Sequence, residues 1–156
     1  MNKASLIASA GALFLLTASF VLKGRDTSNI EGKSYKITVS DAKKAGKPGE
    51  MAECTIKGSK FRCNFFDKNA GADAIPIELT VDSTYMSHED EDAEELLYVE
   101  FTGEVANKLE ENVHVEAIID GYDIEGHVEL SKKGKVKKHW DFIGTQKVEK
   151  KKKKKE

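Results

Sequence analysis

Apolar residues recur at every second position, in short runs, along the whole chain after Gly24, and this alternation is the feature that most constrains the fold. A period of two is typical of antiparallel strands with one buried face. Gly, Asn, Asp and Lys separate the runs, and most connections have the length of a hairpin. The pattern predicts eight strands, at residues 34–40, 53–57, 60–65, 76–83, 96–106, 113–120, 122–131 and 135–145.

Consecutive antiparallel strands with one apolar face close most economically into an up-and-down barrel, because closure removes the exposed edges of a flat sheet. We therefore predict an all-β fold, an eight-stranded antiparallel up-and-down meander barrel over residues 34–146. An N-terminal signal or anchor helix is expected to precede it. A sandwich of two sheets is the alternative architecture.

The N-terminus has the layout of a secretory signal. Residues 1–3 are a short basic start, residues 4–22 carry no charge, and Lys23 and Arg25 follow. We predict a signal peptide over residues 1–24, a linker over 25–33, and export to the periplasm, the cell envelope or the medium. An uncleaved anchor is the alternative, because about 20 apolar residues cross a bilayer.

Charge is strongly segregated along the chain. Residues 26–146 contain 25 Asp and Glu against 15 Lys and Arg, whereas residues 147–156 contain seven Lys and two Glu. The acidic body argues against nucleic acid as a partner, because such binding depends on clustered basic residues. Residues 147–156 are expected to form a Lys-rich disordered tail on a monomeric protein. Its block Lys150–Lys155 predicts contact with an anionic membrane surface, with a solvated tail or one folded onto the acidic body as alternatives.

The two cysteines are expected to face each other. A two-residue turn at Gly58 and Ser59 places Cys54 opposite Cys63 in a non-hydrogen-bonded pair, where the Cα atoms are about 4.5 Å apart. That separation is within the range that a disulfide accepts. In an exported protein we predict a Cys54–Cys63 disulfide, and a pair of buried free thiols is the alternative.

Two further turns set the order of residues on the outer face. The dipeptide at 120–121 predicts a type I′ hairpin that pairs His114 with His127. A three-residue loop at 132–134 then pairs His127 with His139. A two-residue turn in that place would shift the register by one and turn the aromatic residues of the last strand out of the core, so the three-residue loop is preferred.

These registers place three of the four histidines in one row across neighbouring strands, beside a row of carboxylates. Imidazole with carboxylate suits zinc, copper or nickel. Strands are about 4.8 Å apart, so only adjacent imidazoles chelate easily, and a polar exterior without a metal is the alternative. The candidate ligands are His114, His127, His139, Glu116, Glu125 and Asp141.

The inward positions can either fill the barrel or surround one small ligand. The register above places Trp140 over Gly126 and leaves Lys138 at the rim, where its amine can reach water. The candidate cavity wall consists of Tyr35, Ile37, Phe61, Leu79, Phe101, Trp140 and Phe142.

Motifs of catalysis are absent from the sequence, which contains no G-x-S-x-G, P-loop, G-x-G-x-x-G or H-E-x-x-H pattern. We expect no enzymatic activity and no cofactor. The acidic run at residues 88–95 lacks the spacing and the glycine of an EF-hand loop and is interpreted as a solvated loop.

Several segments resemble the lipocalin-like (calycin) barrels, especially the short exported lipocalin-like domains of Gram-negative bacteria. They are GKSYKI at 32–37, IKGSKF at 56–61 before Cys63, IEGHV at 124–128 and HWDFIG at 139–144. Position 34, where the G-x-W signature of that family has Trp, holds Ser.

The resemblance implies a cavity for a small apolar or amphipathic molecule and supplies no catalytic residue. Our first hypothesis is an exported binding protein with such a ligand in its interior. The alternatives are an envelope interaction protein with a solid interior, and a surface site for a transition metal.

Overall fold

The computed structural model describes residues 26–87 and 93–148. The predicted signal or anchor segment, five residues of the acidic run and the block Lys150–Lys155 lie outside these ranges. Within them, no helix is both long enough and apolar enough to cross a bilayer. The elements are β1 Ser34–Asp41, β2 Glu50–Ile56, β3 Lys60–Cys63, α1 Asn64–Ala70, β4 Ile75–Met86, β5 Glu95–Ala106, β6 Asn112–Asp120, β7 Asp123–Lys132 and β8 Lys135–Gln146.

The eight strands form an antiparallel meander that closes in a ring. Each strand pairs with the next, and β8 pairs with β1 from Tyr35 opposite Gln146 to Asp41 opposite Trp140. The ring is uneven, because β3 has four residues and meets β4 through only two residue pairs. The predicted meander and its closure are confirmed, and the two-sheet sandwich is excluded.

The alternation in the sequence reappears as alternating burial along the strands. In β6, for example, Val113, Val115, Ala117 and Ile119 are buried, while the residues between them reach the outside. Successive side chains of a strand point to opposite faces, so a closed ring directs one set to the interior and the other to solvent.

The sequence reading missed the helix α1, because seven residues are too few for a helical period to stand out. The third strand was predicted to run to residue 65, but it ends at Cys63 and α1 begins at Asn64. Gly71 ends the helix with a left-handed φ of 69°, and its N–H donates to the carbonyl of Asp67. The short helix turns Phe65 and Phe66 into the interior.

The hairpin between β6 and β7 turns one residue later than predicted, which shifts every pairing between the two strands by two residues. Its central residues are Gly121 and Tyr122, so Asp120 lies opposite Asp123. Gly121 has a φ of 60°, and glycine with positive φ at the first central position is the requirement of a type II′ turn. Because the shift is two residues, every inward residue stays inward while all its partners across the pair change.

The hairpin between β7 and β8 has a two-residue turn, whereas the predicted loop has three residues. Lys133 and Gly134 both have positive φ, as a type I′ turn requires, and Lys132 lies opposite Lys135. A bulge between Leu130 and Ser131 absorbs the extra residue, so the aromatic residues of β8 remain inside. The predicted position of Trp140 over Gly126 is therefore wrong. Phe142 lies opposite Gly126, and Trp140 lies opposite Val128.

Both ends of the ring are covered. At the end where β3 leaves the sheet, Phe65 of α1 packs edge-on against Trp140 at a ring-centroid distance of 6.0 Å. The turn at 27–33 covers the other end. The N–H of Gly32 in this turn donates to the carbonyl of Ile56, and Ile30 is completely buried. The predicted linker segment thus contributes to the core.

Candidate functional site

The seven predicted cavity-wall residues are all buried and point inward, as the alternation predicts. They pack against one another and against α1: Phe61 lies 5.7 Å from Phe142 and 6.2 Å from Phe66 between ring centroids. Such separations are those of aromatic rings in contact. The middle of the ring is therefore a packed aromatic core, and ligand binding by these residues stays a prediction.

The hydroxyl of Tyr35 is buried in this core without a hydrogen-bond partner among the described residues. Burial raises the pKa of Tyr35 far above its ordinary value, and the neighbouring Cys54 adds to the shift. The phenol is therefore neutral at any physiological pH.

A recess of about 250 Å³ opens at the end of the ring covered by α1. Trp140 and Phe65 contribute to its apolar wall. Its charged rim consists of Lys44, Lys47 and Lys138 together with Asp41 and Glu50. The amine of Lys138 lies 5.6 Å from the centre of the Trp140 ring, close enough for a cation–π contact. The predicted rim position of Lys138 agrees with its exposure to solvent.

The two cysteines lie opposite each other as predicted, but they are free thiols rather than a disulfide. The helix α1, which the sequence reading missed, begins directly after Cys63. Burial raises the pKa of Cys63, and the backbone N–H groups of Phe65 and Phe66 partly oppose this by favouring the thiolate. Burial also raises the pKa of Cys54 strongly, so both sulfurs remain protonated.

The outer side of β6, β7 and β8 carries a cluster of alternating imidazoles and carboxylates, which we call the histidine–carboxylate face. In the observed registers each histidine lies opposite a carboxylate, whereas the prediction placed the histidines opposite one another. His114 lies opposite Glu129, and His127 lies between Glu116 and Asp141. The face consists of His114, His127, His139, Glu116, Glu129 and Asp141.

Each histidine of this face contacts at least one carboxylate. Nε2 of His114 lies 3.0 Å from an oxygen of Glu116, whose other oxygen lies 3.8 Å from Nε2 of His127. Both ring nitrogens of His139 are engaged, Nδ1 with Glu129 at 2.9 Å and Nε2 with Asp141 at 3.0 Å. The rings of His127 and His139 stack at 5.1 Å with an interplanar angle of 9°.

The proton equilibria of the face follow from these contacts. Partial burial lowers the pKa of His139, but the hydrogen bonds to Glu129 and Asp141 outweigh it and leave the pKa above its ordinary value. The hydrogen bond from His114 holds the pKa of Glu116 below its ordinary value. The carboxylates therefore favour a protonated His139 beside the stacked ring of His127.

The structure does not assemble the predicted metal ligands. In residues 26–87 and 93–148, no group of three His, Cys, Asp or Glu side chains is arranged to hold a metal ion. The imidazoles alternate with carboxylates, which are hydrogen-bonded to both ring nitrogens of His139 and to Nε2 of His114. Glu125 lies opposite Ile118 rather than Glu116, one row away from the histidines.

Sequence reasoning missed Glu129 as a member of this face. The signal that could have found it is the preference of a type II′ turn for glycine at its first central position, which moves the turn to residues 121–122 and brings Glu129 opposite His114.

A groove of about 790 Å³ adjoins the histidine–carboxylate face, and we call it the outer groove. Apolar side chains contribute part of its wall, and Ile143 and Met51 among them are 63% and 72% exposed. The polar part of its wall consists of three carboxylates, Lys36 and the uncharged side chains of Thr38, Tyr98 and Thr145. The outer groove is defined here by Met51, Ile118, Ile143, Asp120, Asp123 and Glu125.

Comparison with known proteins supplies no relative. No protein-family model matches the chain, and neither a curated protein nor a solved structure matches it.

Proposed function

We propose that this protein is a non-enzymatic interaction module of the cell envelope, in which a solid ring of strands presents its outer surface to another protein. The observation that carries the proposal is the packed interior. The rings of Phe61, Phe66 and Phe142 occupy the space that a ligand carrier would keep open. The resemblance to lipocalin-like barrels supports the ring architecture within this proposal, and the uncharged run at residues 4–22 supports export.

The histidine–carboxylate face and the outer groove form the proposed contact surface. The side chains of Ile143 and Met51 are exposed and surrounded by carboxylates. Exposed apolar area with a polar rim is typical of protein interaction sites.

Site-specific cross-linking in the native host tests this surface. A photoreactive residue replaces Thr102, which lies opposite Glu116 next to the face. We expect a discrete intermolecular adduct from this position and none from the matched position Arg62, which is exposed on β3. The same set of adducts from both positions, or none from Thr102, would contradict the proposal.

A second candidate function is the carrier role that the sequence predicts, and the recess beside Trp140 is the observation that favours it. Its apolar wall suits the chain of a small amphiphile. Its three lysines outnumber its two carboxylates, Asp41 and Glu50, and suit an anionic head group, although Lys44 lies 3.6 Å from Asp41. Trp140 is the single tryptophan of the chain, so its emission reports on this recess. We expect dodecanoate and similar amphiphiles to leave the emission unchanged. Saturable quenching, together with a matching excess in native mass, would replace the interaction role with the carrier role.

A further inference from the structure

The strand β4 is paired on only one side over most of its length. It pairs with β5 as far as Met86, but with β3 only at Ile75 and Pro76. The next contact on this side is the hydrogen bond from the N–H of Ile77 to the carbonyl of Ser59, in the turn before β3. Beyond Ile77, no strand in the described part of the chain pairs with this side of β4.

The hydrogen bonds to β5 show which backbone groups of β4 point to its unpaired side. The N–H of Ser87 donates to the carbonyl of Glu94, and this pair continues the register of the two strands by one step. In an antiparallel pair, residues bonded to the partner strand alternate with residues whose N–H and C=O groups point away from it. Counting back from Ser87, the backbone groups of Asp82, Thr84 and Met86 point away from β5. We call these three residues the open edge of β4.

The opposite side of the β4–β5 hairpin is covered at the same level. Leu97 lies opposite Thr84, and its carbonyl accepts a hydrogen bond from the N–H of Gly121 in the turn after β6. On the open edge Thr84 is exposed, and Tyr85 and Met86 are 41% and 52% exposed. A row of unpaired N–H and C=O groups on an exposed strand is a template for pairing with another extended chain.

The segment that contains the open edge is strongly acidic. Residues 69–107 include 11 Asp and Glu and no Lys or Arg. Asp82 belongs to the open edge, and Glu95 lies opposite Met86 and accepts a hydrogen bond from the hydroxyl of Thr84 at 2.7 Å. In the described part of the chain, neither carboxylate forms an ion pair with a basic side chain. The amide of Asn29, 3.5 Å from the carboxylate of Asp82, does not compensate its charge.

This charge selects among the possible occupants of the open edge. A second copy of the chain would bring two acidic segments side by side, and like charges on adjacent strands are destabilising. An extended segment with Lys or Arg brings the opposite charge, and electrostatic complementarity favours its encounter with the edge and fixes its register.

We propose that the open edge of β4 binds an extended segment of a basic partner protein, which adds to the sheet as a further strand beside residues 82–86. The backbone groups of Asp82, Thr84 and Met86 form the hydrogen bonds, and the carboxylates of Asp82 and Glu95 attract the Lys or Arg side chains. The strand β5 separates this edge from β6, β7 and β8, so the inference goes beyond the contact surface proposed above and does not depend on it.

Amide hydrogen exchange tests whether the edge is open. We expect the amides of Asp82, Thr84 and Met86 to exchange at least about tenfold faster than those of Ser83 and Tyr85, because only the latter are bonded to β5. Equal exchange of the two sets, whether fast or slow, would overturn the proposal.

A nine-residue peptide of alternating lysine and valine serves as the probe of binding. We expect saturable binding that protects the amides of Asp82, Thr84 and Met86 and leaves those of Ser83 and Tyr85 unchanged. The same peptide with every backbone nitrogen methylated keeps the charge but loses the donors, so it should bind at least about tenfold more weakly. Equal binding of the methylated peptide, or of a peptide of alternating glutamate and valine, would overturn the proposal.

Proline at position 84 tests the site on the protein. T84P removes the central N–H of the open edge and no hydrogen bond to β5, and proline is tolerated on an edge strand. We expect it to weaken peptide binding at least about fivefold, whereas the matched control T84A keeps the N–H and should bind within about twofold of the original protein. Unchanged amide spectra of β6, β7 and β8 establish that T84P is folded. Equal affinities of the two variants would place the peptide elsewhere and would overturn the site.

Sedimentation of the protein alone tests the alternative occupant. We expect a monomer at concentrations at which the open edge exchanges rapidly. A dimer in which the amides of Asp82, Thr84 and Met86 are protected would show that a second copy occupies the edge, and the proposal would be wrong. Loss of the expected adduct at Thr102 with peptide binding retained would remove the contact surface proposed above and leave this inference intact.

Discussion

At the scale of single residues, Gly126 shows how closely the strands of this ring approach each other. A Cβ atom at this position would lie 2.3 Å from the carbonyl oxygen of Glu116 and 2.7 Å from Cβ of Ala117. Gly144 and Gly103 face the backbone of neighbouring strands at similar distances. Glycine at these inward positions permits the sharp bends by which a small sheet closes.

We therefore expect G126A to destabilise the protein by about 1–3 kcal/mol, the usual cost of overpacking, because the obstructing atoms belong to backbone that cannot rotate away. Chemical denaturation measures this loss as a lower midpoint. An unchanged free energy of unfolding would mean that β6 and β7 are farther apart than the structure shows.

The pKa of His139 gives the second prediction at this scale. Its raised value in the folded protein means that the imidazolium is stabilised by Glu129 and Asp141. This contribution is complete below the unfolded pKa of about 6.5 and is lost as the pH rises through the higher folded pKa.

The variant H139Q removes the titrating group and keeps a neutral polar side chain. We expect it to lower the free energy of unfolding at pH 5.5 more than at pH 8.5, by about 0.2–1 kcal/mol for such half-exposed pairs. Denaturation at the two pH values measures the difference. An equal effect at both would show that the two carboxylates do not hold the proton.

At the scale of elements, the helix α1 decides whether the ring is solid. Phe66 is completely buried and its ring lies 5.9 Å from Trp140 and 6.1 Å from Phe142. A strand at residues 64–66 would have continued along the sheet and left this space to other groups.

We expect F66A to cost about 3–5 kcal/mol, because it removes a large buried ring and leaves a cavity. The exposed Lys68 lies on the same helix, so K68A is the matched control and should change stability by less than about 0.5 kcal/mol. Thermal or chemical denaturation of both variants measures the effect. A small loss for F66A would indicate that the helix packs loosely over an open interior.

At the scale of the whole molecule, closure of the ring isolates the two thiols. Cys54 and Cys63 are 1% and 4% exposed, and burial raises the pKa of both. A reagent that requires an accessible thiolate can reach them only when strands β2 and β3 separate from the ring.

We expect both thiols to react with an aromatic disulfide reagent slowly in the folded protein and at once in denaturant, with two equivalents released. The rate should rise in parallel with the fraction unfolded when denaturant is added. Fast reaction under native conditions would mean that the ring opens locally at β3, and a mass that increases by two on reduction would mean that the pair is oxidised.

The sequence by itself determined the class of the fold and the two sides of each strand. Period-two alternation specifies which residues are buried, and a shift of two residues in a hairpin leaves that pattern unchanged. For this reason the inward positions of Phe61, Phe101 and Phe142 were predicted correctly although two of the hairpin registers were not.

Only the tertiary structure decided which outer residues meet. Alternation does not distinguish registers that differ by two residues. The turn at Gly121, with its positive φ, placed His114 opposite Glu129 instead of His127, and the bulge after Leu130 placed His127 opposite Asp141 instead of His139. The filling of the interior was likewise decided by α1, whose seven residues acquire their helical form from packing against the ring rather than from a period of their own.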